Sequence, residues 1–422
     1  MFALVDCNSF FCSVEKVFHP GLKGKPVVVL SSNDGCIVAL TPEAKNLGLK
    51  RGDPIFKVSD IVRGGNVTVF STNMQLYAAM SKRIVSILRK SFSHVEQYSI
   101  DESFCDLRGY DKLHNLTELM RDTAVKIKLW TDIPVSVGIA PTKTLAKVAN
   151  KFAKKYEGYH GVCIIDTEEK RQKALTLTAL SDVWGIGRQT FAKLQYLGIR
   201  TALEFADKSE TWVRSHLNKP GVQTWFELNG MPCIDTTEVV RNQTICTSRS
   251  FGQMVSDLPS IKASVATFAS SCANKLRGQH AGAKSVTVFM YSNRFREDLP
   301  QYGNTATYTF VTPTADTLEI TQAALALAEQ IYRPGILYKK SGVIVGDIVD
   351  TSTIQMDMFD PIPNRKERSS LMKVIDNLNH RYGLKTIKLM AEGEQQQPWK
   401  VKCEHRSQNY LTDINEILTV RI

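Results

Sequence analysis

Two apolar runs that carry acids constrain this chain more than any other feature. Phe2-Ala3-Leu4-Val5-Asp6-Cys7-Asn8 opens the sequence, and Tyr98-Ser99-Ile100-Asp101-Glu102-Ser103-Phe104-Cys105-Asp106-Leu107 lies far downstream. Each is a β-prone run ending at a carboxylate, so each is expected to be a core strand that delivers an acid to a sheet edge or turn. Neighbouring strand residues point to opposite faces. Asp101 and Glu102 therefore serve one site only if the chain bends between them, as a hairpin allows. Converging carboxylates with no cation nearby repel one another and take up protons. A hard divalent ion removes that conflict: Mg²⁺ prefers oxygen ligands and is commonly held by one or two carboxylates plus substrate phosphates. Exposed strand-end acids are the plainer alternative for any single Asp-Glu pair.

The totals narrow the partners. A chain of 422 residues, 43% of them hydrophobic, has ample core for roughly two to four domains. It contains no apolar run long enough to span a membrane, and Asp6 interrupts any leader-like stretch, so the cytoplasm is the expected compartment. The nine cysteines are scattered without a CxxC, and the eight histidines form no HxH or HxxxH pair. Reduced, buried thiols are expected, with no transition-metal site. The formal net charge of +11 steers toward a polyanion, although a solvated basic surface would give the same total.

Along the chain, Phe11, Val14 and Phe18 recur at helical spacing, and Thr41-Pro42 opens a short helix that carries Lys45 and stops at Gly48. A helix start beside a lysine is a plausible phosphate seat. Asn73 is placed to cap a long amphipathic helix with Leu76, Tyr77, Met80, Ile84, Ile87 and Leu88 on one side. A helix over about 116–130 and a strand over 135–140 continue an alternation around one sheet. In the next helix Lys143, Lys147, Lys151 and Lys155 lie four apart and Lys154 flanks them. Like charges at that spacing cost helix stability unless a counter-anion is present. A nucleic-acid backbone or a triphosphate would supply one, and a solvated face is the alternative.

Further on, Val183-Trp184-Gly185-Ile186-Gly187-Arg188 between short helices has the helix-hairpin-helix arrangement, whose glycines let backbone N–H groups approach a phosphate. An ordinary glycine-capped turn would look similar. Residues 220–235, with 236–243, read as a polar tether. Residues 245–349 read as a small α+β domain with basic loops at Arg249, Lys284, Arg294 and Arg296, and pattern is lost from Thr351, apart from a helix around Leu371, Val374, Ile375 and Leu378.

Taken in order, Val5-Asp6, Phe10-Phe11, Tyr98-Ser99-Ile100-Asp101-Glu102-Ser103, Val137-Gly138-Ile139-Ala140-Pro141-Thr142-Lys143 and Trp184-Gly185-Ile186-Gly187 resemble the Y-family translesion DNA polymerases. The resemblance implies a multidomain α+β right-hand polymerase. Its ferredoxin-like palm would be 1–24 and 68–165, its small fingers 25–67, its helix-hairpin-helix thumb 166–235 and its α+β little finger 243–350. Residues 351–422 would form a tail. It further implies that Asp6, Asp101, Glu102 and the main-chain carbonyl of Cys7 hold two Mg²⁺ ions for nucleotidyl transfer to a primer. Phe11 would be the steric gate beneath the incoming sugar, though its spacing fits a core phenylalanine equally. Lys45 and Lys154 would hold the triphosphate, and Gly185, Gly187 and Arg188 the DNA backbone.

The family often has Tyr and Arg where Pro42 and Lys45 stand, which removes a hydroxyl contact and turns a bidentate one into a point charge. Gln355, Met356, Met358 and Phe359 resemble a clamp-docking pentapeptide. A cleaved UmuD dimer and RecA are further implied partners, beside primer-template DNA and dNTPs, with no membrane. Error-prone synthesis past lesions in the SOS response, without an editing exonuclease, is the activity expected. The alternatives are a non-catalytic DNA-binding or RecA accessory that retains the fold, and another palm-domain enzyme such as a nucleotide cyclase.

Overall fold

The computed structural model describes residues 1–235, 242–353, 362, 364–383, 385–393 and 397–418. The chain divides into two units: Met1–Ser31, Gly35–Val239 and His405–Ile422 make the first, Ser32–Asp34 and Val240–Glu404 the second.

The first unit begins with β1 (Phe2–Cys7), α1 (Phe10–Phe18), β2 (Val27–Leu30), β3 (Ile37–Leu40), α2 (Pro42–Asn46), α3 (Ser59–Gly64) and β4 (Thr68–Ser71). It continues through α4 (Met74–Ser91), β5 (Val95–Gln97), β6 (Glu102–Asp106), α5 (Leu116–Thr131), β7 (Val135–Ala140), α6 (Lys143–Lys155) and β8 (Val162–Ile164). Its main sheet runs β5-β6-β1-β7-β8, with β1 antiparallel to both neighbours and β8 parallel to β7. β2, β3 and β4 form a separate sheet in the order β3-β2-β4 over a core of Val28, Leu30, Ile37, Leu40 and Leu49. Residues 68–71 thus hydrogen-bond with 27–30 rather than with the main sheet.

Apolar spacing explains the layers. Leu76, Tyr77, Met80, Ile84, Ile87 and Leu88 of α4 are all buried, and the Asn73 side chain accepts from Leu76 N–H at the helix start. Every residue of β7 is buried, as befits an inner strand covered on both faces. α6 lies so close to β7 that a Cβ on Gly138 would come within 2.1 Å of the Ala146 carbonyl oxygen and 2.2 Å of Asn150 N. Asn150 in turn donates to the Ser136 carbonyl at 2.7 Å.

Beyond β8 come α7 (Glu168–Thr176), α8 (Arg188–Tyr196), α9 (Ala202–Ala206), α10 (Glu210–His216) and α11 (Lys219–Leu228). They share a core with α6 in which Leu175, Leu180, Leu194, Phe205 and Trp225 are buried. The expected tether over 220–235 is corrected here, because its first half is α11. Asn218 caps that helix by accepting from Gly221 N–H, and Val222, Trp225 and Leu228 bury one face. Glu227, itself fully buried, accepts from Thr144 N–H at 3.0 Å and Cys233 N–H at 2.8 Å. Read by composition alone, 220–235 is polar; the buried stripe at three- and four-residue spacing is what prevails.

In the second unit β9 (Ile245–Val255), α12 (Leu258–Gly278), β10 (Ala281–Ser292), β11 (Gly303–Thr314), α13 (Thr317–Ile331) and β12 (Tyr338–Asp350) make an antiparallel sheet, β11-β10-β12-β9, packed on two helices. The expected basic loops are half corrected: Arg249 lies within β9 and Lys284 within β10, while Arg294 and Arg296 occupy the β10–β11 loop. Arg296 is paired there with Asp298 at 2.6 Å. A further helix, α14 (Arg365–Tyr382), is fastened to this unit by ion pairs, Asp376 to Arg277 at 2.6 Å, Arg368 to Asp316 at 2.7 Å and Arg365 to Glu319 at 3.1 Å.

The Gly138 contact yields a test. Gly138→Ala forces backbone to move against backbone, so it should lower stability by about 2 kcal/mol or more, read as a depressed thermal midpoint of the full chain. An unchanged midpoint would mean that α6 is not seated on β7 as described.

Candidate active site

Strand pairing brings the two acid-bearing segments together. Asp6, near the end of β1, stands directly opposite Glu102, the first residue of β6. The stretch 98–107, expected to be a core strand that bends between its two acids, is strand only in part: 98–101 is the turn between β5 and β6 and contains Asp101, and Glu102 is the first residue of β6. That turn is tied by Tyr98 and Ser99 N–H groups, which both donate to the Glu102 carbonyl at 3.1 and 3.0 Å. Ser99 Oγ accepts from Asp101 N–H and Glu102 N–H and donates to Asp101 Oδ1 at 2.5 Å. Cys7 N–H donates to the Asp101 carbonyl at 3.0 Å, which locks the turn to the end of β1. The bend that two adjacent acids need in order to share a site is therefore supplied by a serine-centred turn.

Asp6, Cys7, Phe11, Asp101 and Glu102 line one cavity of about 870 Å³, with Lys45 and Lys154 at its walls. Burial pushes the Asp6 carboxyl up to about 6 in spite of Lys154, with Glu102 and Asp101 adding to the rise. Lys154 Nζ lies 2.6 Å from Asp6 Oδ1, and Lys147 Nζ lies 2.8 Å from Glu102. Burial raises the Cys7 thiol as well, so its side chain is an inert neutral group.

The lysine face of α6 is corrected in part. Lys143 pairs with Glu96 at 2.6 Å, Lys147 with Glu102 at 2.8 Å and Lys151 with Asp182 at 2.5 Å, so three of the four lysines at i,i+4 spacing have counter-anions inside the protein. Lys155 instead lies over the Tyr156 ring. Sequence spacing identifies the stripe but not the acids that approach it from other segments.

Among the described residues no set of three or more His, Cys, Asp or Glu side chains is drawn together tightly enough to hold an ion between them. What the cavity does present is an all-oxygen donor set, two of whose carboxylates already bind a cation in the form of an ammonium group. Such a set suits Mg²⁺, which takes a minority of its ligands from protein and the rest from water and phosphate; Asp6, Asp101, Glu102 and the Cys7 carbonyl are the residues that would hold it.

Phe11 is both wall and core. Its ring lines the cavity and stacks on the buried Tyr77 with centroids 4.5 Å apart and planes 15° from parallel. Two basic residues missed in the sequence, Lys50 and Arg51, also line the cavity. They sit between Gly48 (φ 90°) and Gly52 (φ 97°), left-handed positions that fold the loop back toward the site. The signal for them in the sequence is a Lys-Arg pair bounded by Gly48 and Gly52. With Arg51 present, the cavity keeps a guanidinium although the helix position itself carries Lys45.

The helix-hairpin-helix glycines divide in role. Gly185 has φ 93° and a Cβ there would meet Thr224 Oγ1 at 2.2 Å, so its need is internal packing. Gly187 has open space around it and caps α8 without a side-chain acceptor, which leaves the first N–H groups beside Arg188 available to a phosphate. Trp184 packs on the acid-bearing turn from outside the cavity: its indole N–H donates to Tyr98 Oη at 3.1 Å, and Lys147 Nζ lies over the Trp184 and Tyr98 rings at 5.4 and 4.7 Å. The proposed clamp residues Gln355, Met356, Met358 and Phe359 lie outside the described residues. No helix among those described is long and apolar enough to cross a membrane.

Residues 5–151 match the impB/mucB/samB family, residues 242–358 its C-terminal domain, and residues 369–420 a domain of unknown function. The chain is 41% identical over 423 residues to protein UmuC of Salmonella typhimurium, covering all of both chains, and 38% identical over 426 residues to protein ImpB of the same species, again covering all of both. DNA polymerase IV of Bacillus velezensis is 25% identical over 91% of each chain. Among solved structures, a chimera of the Y-family DNA polymerases Dbh and Dpo4 superposes with a TM-score of 0.64 at 24% identity, over 83% of this chain and all of that one. The chain therefore belongs to the impB/mucB/samB family and is a UmuC-like member of the Y-family DNA polymerases.

Proposed function

We propose that the protein copies DNA past damaged template bases in the SOS response, adding dNTPs to a primer by two-Mg²⁺ nucleotidyl transfer without proofreading. The observation that carries this reading is the cross-strand placement of Asp6 opposite Glu102, with Asp101 held beside them on a cavity walled by Phe11 and lysines. When bound, the ions would stabilise the attacking 3′-oxygen, the transferring phosphoryl group and the departing pyrophosphate.

The chain's own groups have definable tasks. Asp6, Asp101, Glu102 and the Cys7 carbonyl hold the cations. Lys154 and Lys147 neutralise Asp6 and Glu102, and Lys154, Lys45 and Arg51, which line the same cavity, would hold the triphosphate. Phe11 faces the sugar and excludes a 2′-hydroxyl. Gly187 and Arg188 bind the DNA backbone, and Gly185 shapes the loop that presents them. Residues 1–24 with 68–165 would act as palm, 25–67 as fingers, 166–235 as thumb and 243–350 as little finger. The tail would dock on the sliding clamp, and a cleaved UmuD dimer and RecA complete the expected cytoplasmic partners.

Primer extension across an abasic site tests the reading directly. Asp101→Ala should lower the rate about a thousandfold or more, the loss of several kcal/mol of transition-state stabilisation; undiminished synthesis would refute the assignment. Phe11→Ala should raise ribonucleotide incorporation relative to deoxyribonucleotide, and an unchanged ratio would leave Phe11 as core packing alone. Arg188→Glu should weaken primer-template binding equally across sequences and reduce the salt slope by about one, measured by fluorescence anisotropy.

A further inference from the structure

The chain returns to the first unit at His405, inside the C-terminal match of unknown function. It lands behind Phe11. His405 N–H donates to Ser71 Oγ and Ser71 N–H donates to the His405 carbonyl, both at 2.9 Å, which adds a short parallel bridge to β4. The Asn73 side-chain amide, at the cap of α4, donates to the Ser407 carbonyl at 3.0 Å. Tyr410 stacks on Phe18 of α1 at 4.7 Å, and its hydroxyl meets His19 Nε2 at 3.2 Å. The segment therefore fastens the C-terminal end of α1 to the N-terminal end of α4.

Between those fastenings lies a buried polar chain. Glu15 of α1 is fully buried and forms no ion pair among the described residues. Its Oε1 accepts from Tyr77 Oη at 2.7 Å and from Ser407 Oγ at 2.9 Å, while Oε2 has no hydrogen-bond partner among the described residues. Burial raises the Glu15 carboxyl above its usual range, with both hydroxyl donors opposing that rise. Tyr77 is the ring on which Phe11 stacks. The order from the cavity inward is thus Phe11, Tyr77, Glu15, Ser407.

We propose that segment 405–410 is a positioning element for the sugar-facing aromatic platform: through Ser407, Glu15 and Tyr77 it holds Phe11 at the height that separates deoxyribonucleotides from ribonucleotides. This rests on the reading of Phe11 as the gate. Discrimination by a hard ring depends on placement to within fractions of an ångström, since small displacements change reactivity strongly. A buried carboxylate that loses one of two donors gains freedom to shift or to recruit water. Tyr77 follows its acceptor and Phe11 follows Tyr77. The part of the chain assigned no function would then set sugar selectivity from behind the active site without touching the nucleotide.

The test compares kcat/KM for a dNTP and its matching rNTP on the same primed template, using the full-length chain. The ratio is taken within one preparation, so a variant that folds only in part still reports correctly. Ser407→Ala combined with Tyr410→Phe, which removes the Ser407 donor to Glu15 and the Tyr410 contact with His19, should lower discrimination by about tenfold, the scale of the lost Ser407–Glu15 hydrogen bond, and Phe11→Ala should lower it further. In a Phe11→Ala background the tail substitutions should add nothing. If Phe11→Ala lowers discrimination and the tail variant leaves it unchanged, the positioning role is overturned and the gate stands. Additive effects in the combined variant would also overturn it, because the tail would then act by another route. An unaltered ratio in Phe11→Ala alone would remove both.

Discussion

The pairing of β1 with β6 is the contact from which the active site follows. It sets Asp6 across from Glu102, and two ionised carboxylates about 4 Å apart repel by about 4 kcal/mol at an effective dielectric near 20. A site built this way needs cations before any substrate arrives. α6 provides them, with Lys154 on Asp6 and Lys147 on Glu102. Those ammonium groups reach the acids only because α6 lies against β7, and it lies there only because position 138 has no side chain. A glycine within a strand, a helix start capped by Thr142 and two lysines of α6 together place that counter-charge.

The same requirement makes the site exchangeable. Lys154 is well exposed, with 38% of its side chain accessible, so its release to solvent or to a phosphate costs little. Lys147 is more enclosed and rests on Tyr98 and Trp184 as well as Glu102. Trp184 stands beside Gly185 in the loop that leads into α8, and its indole N–H bonds Tyr98 in the acid-bearing turn. Charge at Glu102 is thereby linked to the loop proposed to bind the DNA backbone, through a cation that contacts both. Aromatic faces stabilise such a cation most when it is partly desolvated, which is the condition of Lys147.

How much of this could be read from the sequence depended on whether the signal was local. The strand at 135–140, the Asn73-capped helix and the short helix begun by Thr41-Pro42 were legible, because capping and apolar periodicity act over a few residues. Asp6 and Glu102 were legible as acids beside strand ends, whereas their convergence with Asp101 was expected only from the family resemblance, and the register of β1 on β6 is what sets Asp6 opposite Glu102. What was not legible required a partner distant in sequence. The counter-anions of Lys143 and Lys151 come from Glu96 and Asp182, and no spacing rule connects those positions. Arg51 enters the cavity through two left-handed glycines whose φ values the sequence permits but does not dictate. The helix at 219–228 was hidden by polar composition, although its buried face is periodic.

Phe11 shows why core packing and a functional wall need not be competing assignments. A ring proposed to reject a hydroxyl group by collision must not yield, and a half-buried phenylalanine on a nine-residue helix cannot supply that stiffness alone. Stacking on Tyr77 passes the load to a residue that is completely enclosed. Enclosure obliges the tyrosine hydroxyl to find an acceptor, and Glu15 is that acceptor. A buried carboxylate in turn is tolerable only with donors around it, and Ser407 supplies the second. Each step is forced by the one before: rigidity at the cavity demands burial behind it, burial demands a polar partner, and that partner demands a donor from outside the two helices. The returning chain at 405–410 meets the last of these demands, which is why a segment so far along the sequence is fastened behind the cavity wall that Phe11 forms.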